Sequence, residues 1–277
     1  MEKVILTPRE MVLPEVTTSD SEILQSYKDG IASYNERARK TLNVFPDRNG
    51  DLAGSNCFAP LELRKYLPNG TKIATMADLG RATEINPRFL SGFYSDTGLT
   101  LRTAGDSYKQ NDSLAKELAR QLEKRDITLK NPKVIYFDAL ELKEDKDSSY
   151  GLAYVLSDKA ELGKNIIDAP ELVKNYQFKI IGEKGIPIAD NEGGRICYTK
   201  QDGLSGFYLG RYSGVLSNSR NLADSLDYGR VVGVRTSEAG SQKILDDFLN
   251  EQNAIKEKYI KDMKTLRDRI DSEIKRN

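Results

Sequence analysis

The spacing of apolar residues changes character partway along the chain. Over 19–42, "SDSEILQSYKDGIASYNERARKTL", Ile23, Leu24, Tyr27, Ile31 and Tyr34 follow Ser and Asp caps at the spacing of one amphipathic helix. "IATMADLGRATEI" (73–85) and "DSLAKELARQLEKRD" (112–126) predict two more helices, the second with a capping box in which Ser113 precedes Lys116 and Glu117, offset by one position. From 133 onward the pattern becomes that of strands. "KVIYFDALEL", "YGLAYVLS", "YQFKIIG", "GRICYTK", "GFYLGR" and "GRVVGVR" are short, rich in β-branched and aromatic residues, and separated by Gly, Asp and Asn. Helices preceding strands predict an α+β class rather than a repeated βαβ array. Residues 241–277 hold no Gly or Pro, and their apolar residues from Leu245 to Ile274 recur mostly three or four apart, which predicts a long amphipathic helix. The expected organisation is an N-terminal helical extension over 1–50, a main domain over 51–240, and a C-terminal helix over 241–277.

Composition narrows the chemistry. The 277 residues carry 42 basic and 42 acidic side chains, so the balance points to neither nucleic acid nor an anionic membrane surface. The start, "MEKVILTPREMVLPEV", lacks the basic and apolar runs of a secretory signal, and no segment reaches the roughly 18 apolar residues of a membrane span. A soluble chain is expected, and display on a cell or virus surface would need another route. There is no His, which removes Ser-His-Asp and Cys-His nucleophiles and ordinary zinc sites. Cys57 and Cys197 match no metal or redox spacing and read as two buried thiols, with a disulfide as the alternative. "FPDRNGDLAGSN" (45–56) places Asp47, Asn49 and Asp51 like the start of a calcium loop, but Gly50 is early and Phe58 stands where the closing Glu belongs. It reads as a plain loop, and no metal or cofactor is expected.

One segment departs from the rest. Lys, Glu, Gln and Met supply 54 of the 277 residues, yet none occurs from Asp202 to Ser237. Charge avoidance is not the reason, because Arg211, Arg220, Asp224, Asp227, Arg230 and Arg235 remain. Between 206 and 216 alternate residues divide into two sets, as on opposite faces of a strand: Phe207, Leu209, Ser213 and Val215, with Arg211 the exception, against Gly206, Tyr208, Gly210, Tyr212, Gly214 and Leu216. Tyr, Ser, Gly and Asn make up 16 of the 33 residues of 203–235. That is a paratope-like composition, pairing rigid amphipathic contact area with adaptable hydrogen bonding. Lys, Glu, Gln, Met and Trp are also the amino acids with no codon ending in a pyrimidine, so codons of the form AAY randomised at their adenines could never produce them.

On these residues the C-terminal third resembles the variable proteins of diversity-generating retroelements, particularly the archaeal ones. The likeness is carried by Gly203-Leu204, Leu209, Arg211, Ser217, Leu222-Ala223, Ser225 and "GRVVGV" from 229 to 234, with a variable region over 203–235. The resemblance implies a C-type-lectin-like fold: two helices and a small twisted, mostly antiparallel sheet holding the diversified residues on one solvent-facing patch. It implies a ligand-contacting set of Gly206, Tyr208, Gly210, Tyr212, Gly214, Asn218, Ser219, Arg220, Asn221, Asp224, Leu226, Asp227 and Tyr228. Within it, Tyr208, Tyr212 and Tyr228 would be anchors and Arg220 a hot-spot contact. Leu204, Phe207, Leu209, Val215, Leu222, Ala223, Val231, Val232 and Val234 would hold the scaffold. The ligand would be a protein or other macromolecule rather than nucleic acid. "TKIATMADLGRA" is similar to the first-helix entry of the formylglycine-generating-enzyme group, but that group's paired cysteines are not reproduced, since Cys197 stands alone. The lectin calcium triplets are absent as well. A non-catalytic binding protein is therefore expected. The alternatives are an enzyme of the formylglycine-generating type, one using carboxylates such as Asp138, Glu141 and Glu144, or a homo-oligomeric assembly protein organised by 241–277.

Overall fold

Helix α1 (Thr18–Ala32) turns Leu24, Tyr27 and Ile31 into the core, and the Tyr27 hydroxyl donates to the Leu42 carbonyl at 2.7 Å. The computed structural model describes residues 18–45, 53–68, 71–235, 256 and 263. The helix expected over 19–42 is two helices. Asn35 takes an extended conformation and its side chain accepts from the Ala38 amide, opening α2 (Glu36–Leu42). An Asn side chain that satisfies a free first-turn amide favours starting a helix over continuing one. Helix α3 (Ala59–Leu63) follows, and its residues are all buried.

After the short strand β1 (Thr71–Ile73), helix α4 (Met76–Ile85) opens on a reciprocal capping box between Thr75 and Asp78. The box expected at Ser113 is not formed. Helix α5 (Lys109–Glu123) begins earlier, behind Tyr108 and without a side-chain cap, and buries Leu114, Leu118 and Leu122 as one stripe.

Between α4 and α5 lies strand β2 (Ser95–Leu101), every residue of which is buried. The remaining strands are β3 (Lys133–Tyr136), β4 (Leu140–Glu144), β5 (Leu152–Leu156), β6 (Ile166–Asp168), β7 (Tyr176–Ile181), β8 (Pro187–Ala189), β9 (Arg195–Thr199), β10 (Leu204–Leu209), β11 (Val215–Ser217) and β12 (Gly233–Arg235). An eight-stranded sheet runs in the order β6-β3-β2-β10-β11-β9-β7-β8. Its pairs are antiparallel except β11 with β9. β4 and β5 form a separate antiparallel hairpin. The class is α+β, but helices do not simply precede strands, because β2 comes before α5 and sits inside the sheet. The stretch expected as one strand over 133–142 is broken by a 3₁₀ turn at Phe137–Ala139.

The stretch 206–216 is likewise not one strand. β10 and β11 are the arms of a hairpin whose turn is closed by the Gly210 amide donating to the Gly214 carbonyl at 2.7 Å. Both arms are interior strands, bounded by β2 on one side and β9 on the other. Leu204, Phe207, Leu209, Val215, Leu222, Val231, Val232 and Val234 are buried, and Ala223 is half-buried against the same core. The described residues from Thr18 to Val234 belong to one compact unit. The turn-rich stretch 46–52 lies outside the described residues, as does the helix expected over 241–277 apart from Lys256 and Met263. Among the described residues no helix is long and apolar enough to cross a membrane.

Candidate functional site: a tyrosine-walled pocket

The pairing of β10 with β2 contains a bulge. Phe207 faces Gly98 while Tyr208 faces Asp96, so Thr97 is the extra residue. The Thr97 hydroxyl donates to the Phe207 carbonyl at 2.8 Å and secures the irregular step. Directly opposed residues of an antiparallel pair share a face, so the bulge puts the Asp96 carboxylate beneath the Tyr208 ring. The Ser55 hydroxyl donates to Asp96 Oδ2 at 2.5 Å, and the Cys57 thiol stands 3.9 Å from Oδ1. Burial pushes the Asp96 carboxyl up to about 6, even though both hydrogen bonds favour its charged form. Burial, with the Asp96 charge beside it, also raises the Cys57 thiol well above its ordinary value. Cys57 and Cys197 are both free and buried.

Above this floor opens a cavity of about 390 Å³. Tyr94 is its inner pillar. Its hydroxyl donates to the Ser55 carbonyl at 2.6 Å and accepts from the Leu226 amide at 3.1 Å. Its ring meets those of Tyr208 and Tyr228 edge-on, at centroid distances of 5.7 and 5.5 Å. On the rim, the Arg211 guanidinium lies 4.5 Å from the Tyr212 ring centroid and 5.5 Å from that of Tyr228. Arg195, Ile196 and Tyr198 of β9 complete one wall, and Leu216 of β11 lines it as well. Tyr212 is 77% exposed.

Of the thirteen residues implied by the resemblance, Tyr208, Gly210, Tyr212, Gly214, Ser219, Asn221, Asp224, Leu226 and Tyr228 line this cavity. Asn218, Arg220 and Asp227 are exposed outside it. Gly206 is buried behind the floor, where a Cβ would stand 2.8 Å from Cys57 Sγ. Gly210 is likewise set by close approach, since a Cβ would meet Leu216 Cδ1 at 2.3 Å. Two segments of the variable stretch separated by β11, the hairpin turn and the loop 218–228, thus face one hollow.

Many of the polar contacts that fix this stretch come from side chains elsewhere and land on its main chain, with the hydroxyls of Ser205, Ser217 and Ser225 adding bonds of their own. Asn111 Nδ2 donates to the carbonyls of Leu204 and Arg220, at 3.1 and 2.7 Å. The Tyr150 hydroxyl donates to Asn111 Oδ1 and accepts from the Leu222 amide. Asn56 Nδ2 reaches the Ala223 carbonyl, and Asp106 accepts from the Leu204 amide. Arg102 is the deepest anchor: it donates to the carbonyls of Leu172 and Ser217 and to the hydroxyls of Ser205, Thr199 and Ser217. Burial lowers its guanidinium to about 10. By contrast, Ser219 and Asn221 bond only within their own loop.

The floor and pillar are residues that sequence reading missed. Asp96 lies in β2, and a strand buried on both faces shows no alternation; Tyr94 and Cys57 lie outside the named strands, where no periodicity marks them. Tyr198 had a usable signal, lying outward next to buried Cys197 in "RICYT". The alternative carboxylates do not line the cavity: Asp138 stands in the turn after β3, Glu141 is exposed, and Glu144 accepts from Asn35 at the far end of β4. Comparison with protein-family models, curated proteins and solved structures gave no match to this chain.

Proposed function

We propose that this protein is a ligand-binding module whose specificity is carried by exchangeable side chains around the tyrosine-walled pocket. We further propose that it is a diversified variable protein of the retroelement type on a C-type-lectin-like fold. The observation that carries the reading is the division between main chain and side chain over 203–230. Anchors at Asn56, Arg102, Asp106, Asn111 and Tyr150 hold the backbone groups of Ala223, Ser217, Leu204, Arg220 and Leu222, which every substitution retains, while the side chains around the hollow bear little of the scaffold. The absence of Lys, Glu, Gln, Met and Trp from the same stretch adds independent support. Tyr94, Tyr208, Tyr212 and Tyr228 supply the rigid, amphipathic contact area that recognition surfaces favour.

The test is a library randomised at Tyr208, Tyr212, Ser219, Asn221, Asp224, Leu226 and Tyr228. Most members should fold with melting temperatures near that of the parent, and selection against unrelated proteins should return binders. A library that is mostly unfolded would sink the reading. The DNA downstream of the gene gives a second check: a near-copy of the codons for 203–235, differing mainly at adenines and followed by a reverse transcriptase gene, is expected.

A further inference from the structure

The pocket floor holds a carboxylate with no counter-charge. Asp96 receives the Ser55 hydroxyl at one oxygen, a distant thiol at the other, and its own backbone amide. Among the described residues no Lys or Arg pairs with it. An ionised acid in such a place is unfavourable unless a cation reaches it, and the cavity leads to it from outside. The way in passes between tyrosine rings, whose faces attract ammonium and guanidinium groups. The rim already displays that chemistry in the Arg211 guanidinium lying over Tyr212 and Tyr228. The rim's other cation, Arg195, is engaged over the Phe178 ring at 4.6 Å, and Asp224 shares the rim with both.

We infer that the pocket takes an alkylammonium group, as on a lysine side chain, with Asp96 as its counter-charge and Tyr208 and Tyr228 as its walls. This ligand class rests on the recognition reading above and narrows it. The titratable groups facing Asp96 are the Cys57 thiol and the Tyr94, Tyr154 and Tyr208 phenols, and burial raises all four, so they stay neutral near pH 7. Asp96 is then the group whose charge changes over the mildly acidic range. Ammonium binding should strengthen as pH rises through about 6 and weaken below it.

The experiment is an NMR titration of the full chain with n-butylammonium, n-butanol and butyrate. Butylammonium is expected to bind at least about tenfold tighter than butanol, and about tenfold weaker at about pH 5 than at about pH 8. Asp96→Asn should erase the preference while leaving butanol unchanged. Tyr228→Leu, a half-exposed site, should weaken butylammonium about threefold and serves if the first variant does not fold. A one-lysine peptide that binds tighter than butylammonium identifies a protein side chain as the natural source, and equal binding identifies a free amine. Equal affinities for ammonium and alcohol, a preference for butyrate, no ammonium binding, or a preference that survives Asp96→Asn would each overturn the inference. None of these outcomes touches the recognition reading if the library still folds and yields binders, and an unfolded library would sink that reading alone.

Discussion

The anchors below the variable hairpin and the rim around its pocket demand opposite things of their side chains. Arg102, Asn111 and Tyr150 are held among bonds that end on neighbouring main chain, so each has one acceptable identity. Tyr212, Asp224 and Leu226 stand in solvent at the mouth of the hollow, where many identities satisfy the backbone equally. The contrast shows how a segment can be fixed in position yet open in chemistry: the hydrogen bonds that hold it must not depend on the side chains at its rim, and the serines that do bear bonds, Ser205, Ser217 and Ser225, lie off the cavity lining. Asp96 lies between the two regimes, buried like an anchor but without the partner a buried charge needs.

The sharpest way to break the contrast is at Arg102. Arg102→Met keeps most of the volume but removes the hydrogen bonds to Leu172, Thr199, Ser205 and Ser217 together, and a loss of about 3 kcal/mol is expected in denaturant unfolding. An effect no larger than that of a rim substitution would remove the distinction. Asp96→Asn should act in the opposite direction. The folded-state carboxyl sits at about 6, above its ordinary 3.8, so the acid's contribution to stability is present below about pH 4 and is lost as pH rises through 6. The variant should therefore be more stable than the parent by about 3 kcal/mol at about pH 8, with the difference gone by about pH 4, as read from urea titrations across pH. The smallest effect belongs to the rim: Tyr212→Ala and Asp224→Ser should each change stability by less than about 0.5 kcal/mol. A large loss at either position would move it from rim to scaffold.

Much of the architecture could be read from local pattern. The helix over 112–126 was foreseeable from the stripe of Leu114, Leu118 and Leu122, and β5, β7 and β9 from alternating runs. β2 was not, because its seven residues are all buried, and in "SDTGLTL" Asp96, Thr97 and Thr100 are satisfied by partners distant in sequence. Breaks within long patterns were also hidden. Asn35 stops a helix through a bond to its own chain, and Phe137–Ala139 interrupts a run that otherwise reads as one strand.

By itself the sequence determined the α+β composition, the aliphatic positions that are buried along 203–234, and the stretch in which certain residue types never appear, since each of these is a property of neighbours along the chain. Only the tertiary structure decided that the stretch folds into a hairpin and a loop around one hollow. It alone decided, too, that a bulge in β2 sets Asp96 and Tyr94 beneath them. The second relation joins residues more than a hundred positions apart, Asp96 with Tyr208 and Tyr94 with Tyr228, and no local spacing encodes a partner that the chain meets only on folding.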